Sequence, residues 1–167
     1  MSVLLARVDD RLIHGQIVVG WVRALEADCL VVANDAVAAD PLQRTLLPMA
    51  VPPHIKVAIL RLSEAAEAVA KGQLPGRRAI LLFSSLPDAA RFLRSGGPLK
   101  ELNIGGIRLA PGRRPLRTAV ALGPEDVAAA RELASAGTGL SLRMVPTELP
   151  EPLLPLLSAL EAHQDQA

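Results

Sequence analysis

Short apolar runs separated by longer amphipathic stretches recur along the chain. Runs at 3–8, 29–33, 56–60, 79–83, 102–104, 118–122 and 140–144 are rich in branched aliphatic residues. Most are continuous rather than alternating, as strands covered on both faces are. The stretches between them carry helical punctuation. Ser63 precedes EAAEAVAK, Ser85 with Pro87 and Asp88 precedes AARFLR, and Gly123 with Pro124, Glu125 and Asp126 precedes VAAARELA. These are N-cap, first-turn proline and first-turn acid signals. Gly72, Gly96 and Gly137 stand where those helices should stop. The alternation predicts an α/β fold: an open, doubly wound, mainly parallel twisted sheet of about seven strands with helices on both faces.

No repeat, low-complexity tract or linker divides the 167 residues, and half of them are hydrophobic, so one domain over 1–160 is expected. The segment from Glu148 onward begins with clustered prolines and then reads LLSALEAH. That pattern predicts a last short helix, with 161–167 as a frayed end. The longest irregular piece is 105–116, GGIRLAPGRRPL, and loops of that length are often functional or mobile.

Composition narrows the function. Eighteen Lys and Arg against seventeen Asp and Glu leave a net charge of +1, and the only aromatics are Trp21, Phe83 and Phe92. Neither a basic face for phosphate backbones nor a stacking platform for bases is present, so nucleic acid is not an expected partner. No run approaches the roughly 20 apolar residues of a membrane span. The single cysteine, Cys29, permits no internal disulfide and fits a reducing compartment. A cytoplasmic protein is expected.

The residues with most chemistry follow the first strand. Asp9, Asp10, Arg11, Leu12, Ile13, His14, Gly15 and Gln16 lead directly into IVVGWVRAL, which has helical spacing. In an open parallel sheet, ligands sit beyond the carboxyl ends of strands at a switch in strand order. This segment offers a nucleophile, a fixed cation, two carboxylates, a glycine that admits close approach, and a helix start with free N–H groups. Those parts suit a phosphoryl group. A histidine that carried one would need one bare ring nitrogen, a hydrogen bond fixing the other, and positive charge around the incoming oxygens. Arg11 presents a planar fork for phosphate. Asp9 and Asp10 would repel phosphate at close range, so their expected task is to orient Arg11 or hold the far nitrogen of His14. Gln16 is placed to donate to a phosphoryl oxygen or to substrate.

Read from 7 to 17, RVDDRLIHGQI resembles the phosphorylation-site segment of the IIB components of mannose/sorbose-type sugar phosphotransferase systems. Eleven consecutive positions follow that pattern, with Ile17 in place of the more usual valine. The similarity continues through VVANDAVAADPLQRTLLPMAVP from Val31, ILLFSS from Ile80 and LNIGGI from Leu102, to about residue 147. The resemblance implies a phosphocarrier, cytoplasmic and peripherally associated with a membrane permease. It would accept a phosphoryl group on Nδ1 of His14 from a phosphorylated IIA protein or domain and pass it to a sugar delivered by membrane IIC and IID components. Arg11 inherits phosphoryl stabilisation, and Asp10, Gly15 and Gln16 inherit binding or orienting roles. No metal and no other cofactor is implied, because transfer between histidines exchanges similar N–P bonds. Two departures stand out: Ala36 where relatives often carry an acid, and the arginines at 108, 113, 114 and 117. Those arginines either close over a phosphorylated His14, meet an acidic partner surface, or line a solvated turn.

Other residues read more plainly. Asp35 and Ser84, at predicted strand ends, either line the same cleft or cap loops. His54 and His163 read as surface residues, Cys29 as a buried inert thiol, and Trp21 as core. Three rival functions compete with this reading. A receiver-like domain would need an acceptor Asp after the third strand, where Arg61, Leu62 and Ser63 stand. A hydrolase built on His14, Asp10 and Ser84 lacks the G-x-S-x-G turn. A phosphorylatable regulatory or partner-binding module of an incomplete phosphotransferase system remains open, as does a homo-oligomer.

Overall fold

Residues 1–162 are described by the computed structural model of the chain; of the expected frayed end, 161 and 162 belong to the last helix, while His163 and the residues after it lie outside the described residues. The strands are β1 (Ser2–Asp9), β2 (Cys29–Ala33), β3 (Lys56–Leu60), β4 (Arg78–Phe83), β5 (Glu101–Gly106), β6 (Arg114–Arg117), β7 (Val120–Leu122), β8 (Gly139–Leu142) and β9 (Glu151–Pro152). Seven of them form one sheet in the order β3-β2-β4-β1-β5-β8-β9. Every pair in it is parallel except β8 with β9.

The apolar runs explain the two covered faces. Side chains alternate across a strand, so Val8, Val31, Ala33, Leu81 and Phe83 pack on one face while Leu30, Val32, Ile80 and Leu82 pack on the other. Helices α4 (Leu62–Ala70), α5 (Leu86–Arg94), α6 (Pro124–Ser135) and α7 (Leu154–Ala162) cover the first face. The second is covered by a π-helical turn, Gln16–Trp21, that continues into α1 (Val22–Leu25), and by α2 (Asp35–Ala39) and α3 (Pro41–Met49). The doubly wound architecture expected from the sequence is therefore present. No helix among the described residues is long and apolar enough to cross a membrane.

The expected caps form, with one shift. Ser85 accepts from the Asp88 amide at 3.1 Å, and Asp126 accepts from the Gly123 amide at 2.9 Å. Gly72, Gly96 and Gly137 take φ of 66°, 88° and 93° just past their helices. Helix α4 starts one residue before the expected Ser63 cap. Its leading amides are taken instead by Glu64, which accepts from Arg61 N, and by Asp35, which accepts from Leu62 N, each at 2.9 Å.

Four features differ from the reading of the pattern. The run at 118–122 is not a member of the main sheet: β7 pairs antiparallel with β6 in a separate hairpin, joined to the end of β5 by a single bridge between Ile107 and Val120. Strand β6, RPLR, arises inside the segment expected to be irregular. It is mostly exposed and contains a proline, so it has no apolar signature. The seventh strand of the main sheet is β9, two residues long and equally without a pattern. Helices α2 and α3 were also unmarked; neither has a fully buried residue, and α3 contains Pro48.

Candidate active site

The chain runs from β1 to β2 on one side of the sheet, returns through β4 and leaves through β5 on the other. The loops after β1 and β5 therefore meet at the carboxyl edge where the strand order reverses. The β1 loop turns tightly: Leu12 N donates to Asp9 O at 2.9 Å, and Leu12 has a positive φ of 56°. A leucine in that region is strained by roughly 1–2 kcal/mol, and it is kept there because its side chain is buried beside Ile13, Ile17 and Trp21. The turn presents His14 at the start of the π-helical turn, with 15% of its side chain exposed.

Asp9 is the hub. Its side chain is fully buried, and both carboxylate oxygens are occupied. Oδ2 lies 2.9 Å from His14 Nε2 and accepts from Arg7 Nη2 at 3.1 Å. Oδ1 accepts from the Arg11 amide at 3.2 Å and from Arg11 Nε at 3.3 Å. Burial pushes the Asp9 carboxyl up, but the His14 hydrogen bond, the charges of His14 and Arg7, and the Arg11 amide together outweigh it and hold the group below its ordinary value. An ionised carboxylate only accepts, so Nε2 of His14 carries the hydrogen and Nδ1 is the bare nitrogen. Nδ1 faces the leading amide of the helical turn, Gln16 N, at 3.3 Å.

Arg11 is propped from two sides, by Asp9 and by Gln16 Oε1, which accepts from Nη2 at 3.0 Å. Its side chain is still 41% exposed, so the guanidinium has open faces. Gly15 is exposed, and a Cβ there would meet nothing within 4 Å. The fold therefore places no steric demand for a glycine there. Asp10 turns elsewhere: its Oδ2 accepts from Arg108 N at 2.9 Å and Arg108 Nε at 3.0 Å, tying the loop after β5 to the loop after β1. Arg11, Gln16, Asp10, Arg108, Arg117 and Thr118 line one open groove of about 680 Å³ between that loop and the hairpin.

The remaining arginines are mostly engaged. Arg113 pairs with Asp126 at 3.3 Å, and Arg117 pairs with Glu151 at 2.5 Å. Asp35 and Ser84 are both at the carboxyl ends of strands but neither touches His14. Asp35 Oδ2 accepts from Arg91 Nη2 at 2.6 Å while its other oxygen caps α4. The Leu62 amide is the main cause of its lowered pKa. Ser84 Oγ donates to Asp88 at 2.8 Å and accepts from Asn34 at 2.9 Å. The hydrolase set of His14, Asp10 and Ser84 is thus not linked by hydrogen bonds. Among the described residues no group of three His, Cys, Asp or Glu is placed to hold a metal ion.

Sequence reasoning missed the groups beneath Asp9. Arg7 is fully buried. Its Nη1 donates to Asn103 Oδ1 at 2.6 Å and Arg143 O at 2.7 Å; its Nη2 donates to Met144 O at 3.1 Å in addition to Asp9. Its Cζ lies 5.3 Å from the Trp21 ring centroid. Burial pulls its pKa down, with Asp9 acting against that. Gly105 makes room, since a Cβ there would fall inside the Arg7 guanidinium, and Gly106 lies against the Asp9 carboxylate. Trp21, expected in the core, is 2% exposed, and its indole N–H donates to Met144 O at 3.1 Å. A signal existed: Arg7 interrupts an apolar strand two residues before Asp9, and that spacing puts both on one face.

Comparison with known proteins identifies the arrangement. The family described as "PTS system sorbose subfamily IIB component" matches residues 3–167. The chain belongs to that family of IIB components. Over 148 residues it is 38% identical to the sorbose-specific EIIB component of Klebsiella pneumoniae, covering 89% of this chain and 90% of that one. The crystal structure of the IIBSor domain of the sorbose permease from Klebsiella pneumoniae superposes with a TM-score of 0.87 at 36% identity, covering 95% of this chain and 98% of the other. The mannose-specific EIIAB component of Escherichia coli strain K12 is 30% identical over 161 residues, which are 96% of this IIB chain and 50% of that longer protein. As a IIB component of the sorbose/mannose type, the chain is a phosphotransferase of a sugar-transport system.

Proposed function

We propose that this IIB component, as one domain over 1–160, accepts a phosphoryl group on Nδ1 of His14 from a cognate IIA protein or domain and passes it to a sugar hydroxyl. The sugar is delivered by membrane IIC and IID components, with the IIB chain in the cytoplasm against that permease. The observation that carries the reading is the Asp9–His14 contact at 2.9 Å, which fills Nε2 and leaves the lone pair on Nδ1 of a ring whose side chain is 15% exposed.

In the accepting step the Nδ1 lone pair forms a bond to phosphorus as the N–P bond of the donor breaks, and that bonding pair returns to the donor imidazole. The phosphorylated ring keeps its Nε2 hydrogen and becomes cationic, and buried, ionised Asp9 offsets that charge at close range. Arg11 supplies a fork for the phosphoryl oxygens, and the Gln16 amide, freed from Nδ1, is within reach of them. In the donating step a sugar hydroxyl oxygen attacks phosphorus, the N–P bond breaks, its electron pair returns to Nδ1, and the hydroxyl proton leaves to water or base. The EIIAB relative, which joins A and B units in one chain, supports a IIA donor. Cys29 is a poor alternative acceptor: it is fully buried, burial raises its thiol pKa, and it opens β2 at the edge opposite His14.

Incubation with a phosphoenolpyruvate-fed relay and IIA tests this. An acid-labile, alkali-stable label is expected on the wild type and Cys29→Ser, and none on His14→Ala. Arg11→Ala should fold and take up label slower by about 10²-fold, the scale for one oxyanion-stabilising donor. Label persisting in His14→Ala overturns the assignment.

A further inference from the structure

A buried ion pair is weak evidence of stability, because apolar residues of similar volume often do as well. Arg7 is therefore an odd expense inside a sheet unless its charge specifies something. Its surroundings are built from four places: Asp9 on its own strand, Asn103 on β5, the carbonyls of Arg143 and Met144 after β8, and the Trp21 ring from the first helical segment. A glycine at 105 is needed for it to fit. The hydrogen bonds that these groups make to both terminal nitrogens leave one rotamer.

What depends on that rotamer is Oδ2 of Asp9, shared between Arg7 Nη2 and His14 Nε2. With the cation present, the carboxylate stays ionised and can only accept, so Nε2 keeps the hydrogen. Without it, only His14 and Arg11 oppose the burial, and the carboxyl shifts toward a protonated form that donates to Nε2. In that form the imidazole hydrogen is on Nδ1, which then has no lone pair to offer.

We infer that Arg7 is a positioning residue: anchored by Asn103, the Arg143 and Met144 carbonyls and Trp21, it fixes Asp9 as the acceptor for His14 Nε2–H. It thereby determines that Nδ1 is the nitrogen left bare for the phosphoryl group. The inference rests on the phosphohistidine reading above. The charged groups facing Asp9 are Arg7, Arg11 and His14. Arg143, whose guanidinium stands 5.2 Å from the Trp21 centroid, and Glu148, whose Oε2 accepts from Met144 N at 2.9 Å, complete the surroundings of Arg7.

Arg7→Met removes the charge and keeps the length. Nitrogen-15 NMR of unphosphorylated protein should show His14 as the Nε2–H tautomer in the wild type and a large Nδ1–H population in Arg7→Met. Phosphoryl acceptance should fall about 10- to 100-fold, by analogy with the loss of a group that orients a metal-ligating imidazole. The pH below which acceptance fails should move upward in Arg7→Met, and Arg7→Lys should restore that pH without the full rate. Trp21 is the sole tryptophan and there is no tyrosine, so its emission reports whether the site is folded. If Arg7→Met does not fold, Asn103→Ala, which removes one anchor and leaves both charges, should show the same tautomer mixing to a smaller degree. A folded Arg7→Met, or failing that Asn103→Ala, with wild-type tautomer and pH profile overturns the inference. The tautomer is read without phosphotransfer, so this can fail while His14 labelling succeeds, and the reverse.

Discussion

His14 is held at its two ring nitrogens by groups of opposite character, a buried carboxylate at Nε2 and a backbone amide at Nδ1. Asp9 thus ties catalysis to stability. Its folded pKa lies below the unfolded value of about 3.9, so in the window between them the unfolded chain binds more protons. The stability this contributes is fully present above the unfolded pKa and is lost as pH falls through the folded one. Asp9→Asn leaves Arg7 buried without a counter-charge, at a cost of about 3–5 kcal/mol near neutral pH. Urea midpoints measured from pH 7 to pH 3 should fall for the wild type and fall less steeply for Asp9→Asn; parallel curves would separate Asp9 from acid unfolding. The sequence offered Asp9 and Asp10 the same two tasks, orienting Arg11 or holding the far nitrogen. Asp9 is placed for both, one at each oxygen, while Asp10 binds Arg108. Adjacent acids at the end of a strand look alike in a pattern, and only the direction each leaves the strand tells them apart.

At the scale of elements, the first helical segment departs most from an ideal form. It begins as a π-helical turn, Gln16–Trp21, entered through His14 O, which accepts from both Ile17 N and Val18 N at 3.0 Å, and such turns often mark functional sites. It ends at Glu26, exposed and with φ of 49°. Glu26→Gly removes the Cβ penalty of that left-handed C-cap, worth about 1 kcal/mol. Calorimetry should show Tm higher by about 2–4 °C for a chain of this size, with phosphoryl acceptance unchanged; a lower Tm would mean the strain is not at this cap. Strands β1 to β5 and helices α5 and α6 were legible because their signals are local: apolar runs, and caps three residues from their amides. Strand β7 was legible as a buried apolar run, though not its place outside the main sheet; β6, β9 and the α2–α3 pair were not. Their residues are exposed or half-buried, so tertiary contact shapes them without an apolar period to betray it.

For the whole molecule, the end of the chain closes the sheet. Strand β9 pairs with the outer edge of β8, and Leu153 and Leu157 are fully buried in the core of that face. Losing two such leucines costs roughly 2–5 kcal/mol each, comparable with the net stability of about 5–15 kcal/mol for a domain. A chain ended after Pro146 should melt far lower by circular dichroism and elute as aggregates, with the bare β8 edge open to pairing. A monomer with an unaltered melt would show that this segment is dispensable.

What the sequence determined by itself is whatever neighbours in the chain decide among themselves: strands, most helix ends, a doubly wound class, and a loop from Asp9 to Gln16 holding a nucleophile beside a fixed cation. What only the tertiary structure decided is which groups stand behind that loop. Arg7 reaches Asn103 across 96 residues and the Arg143 carbonyl across 136, because β5 pairs beside β1 and β8 beside β5. Strand order and register create those meetings, and no local period encodes them, since the free energy that selects them comes from burying both sheet faces at once.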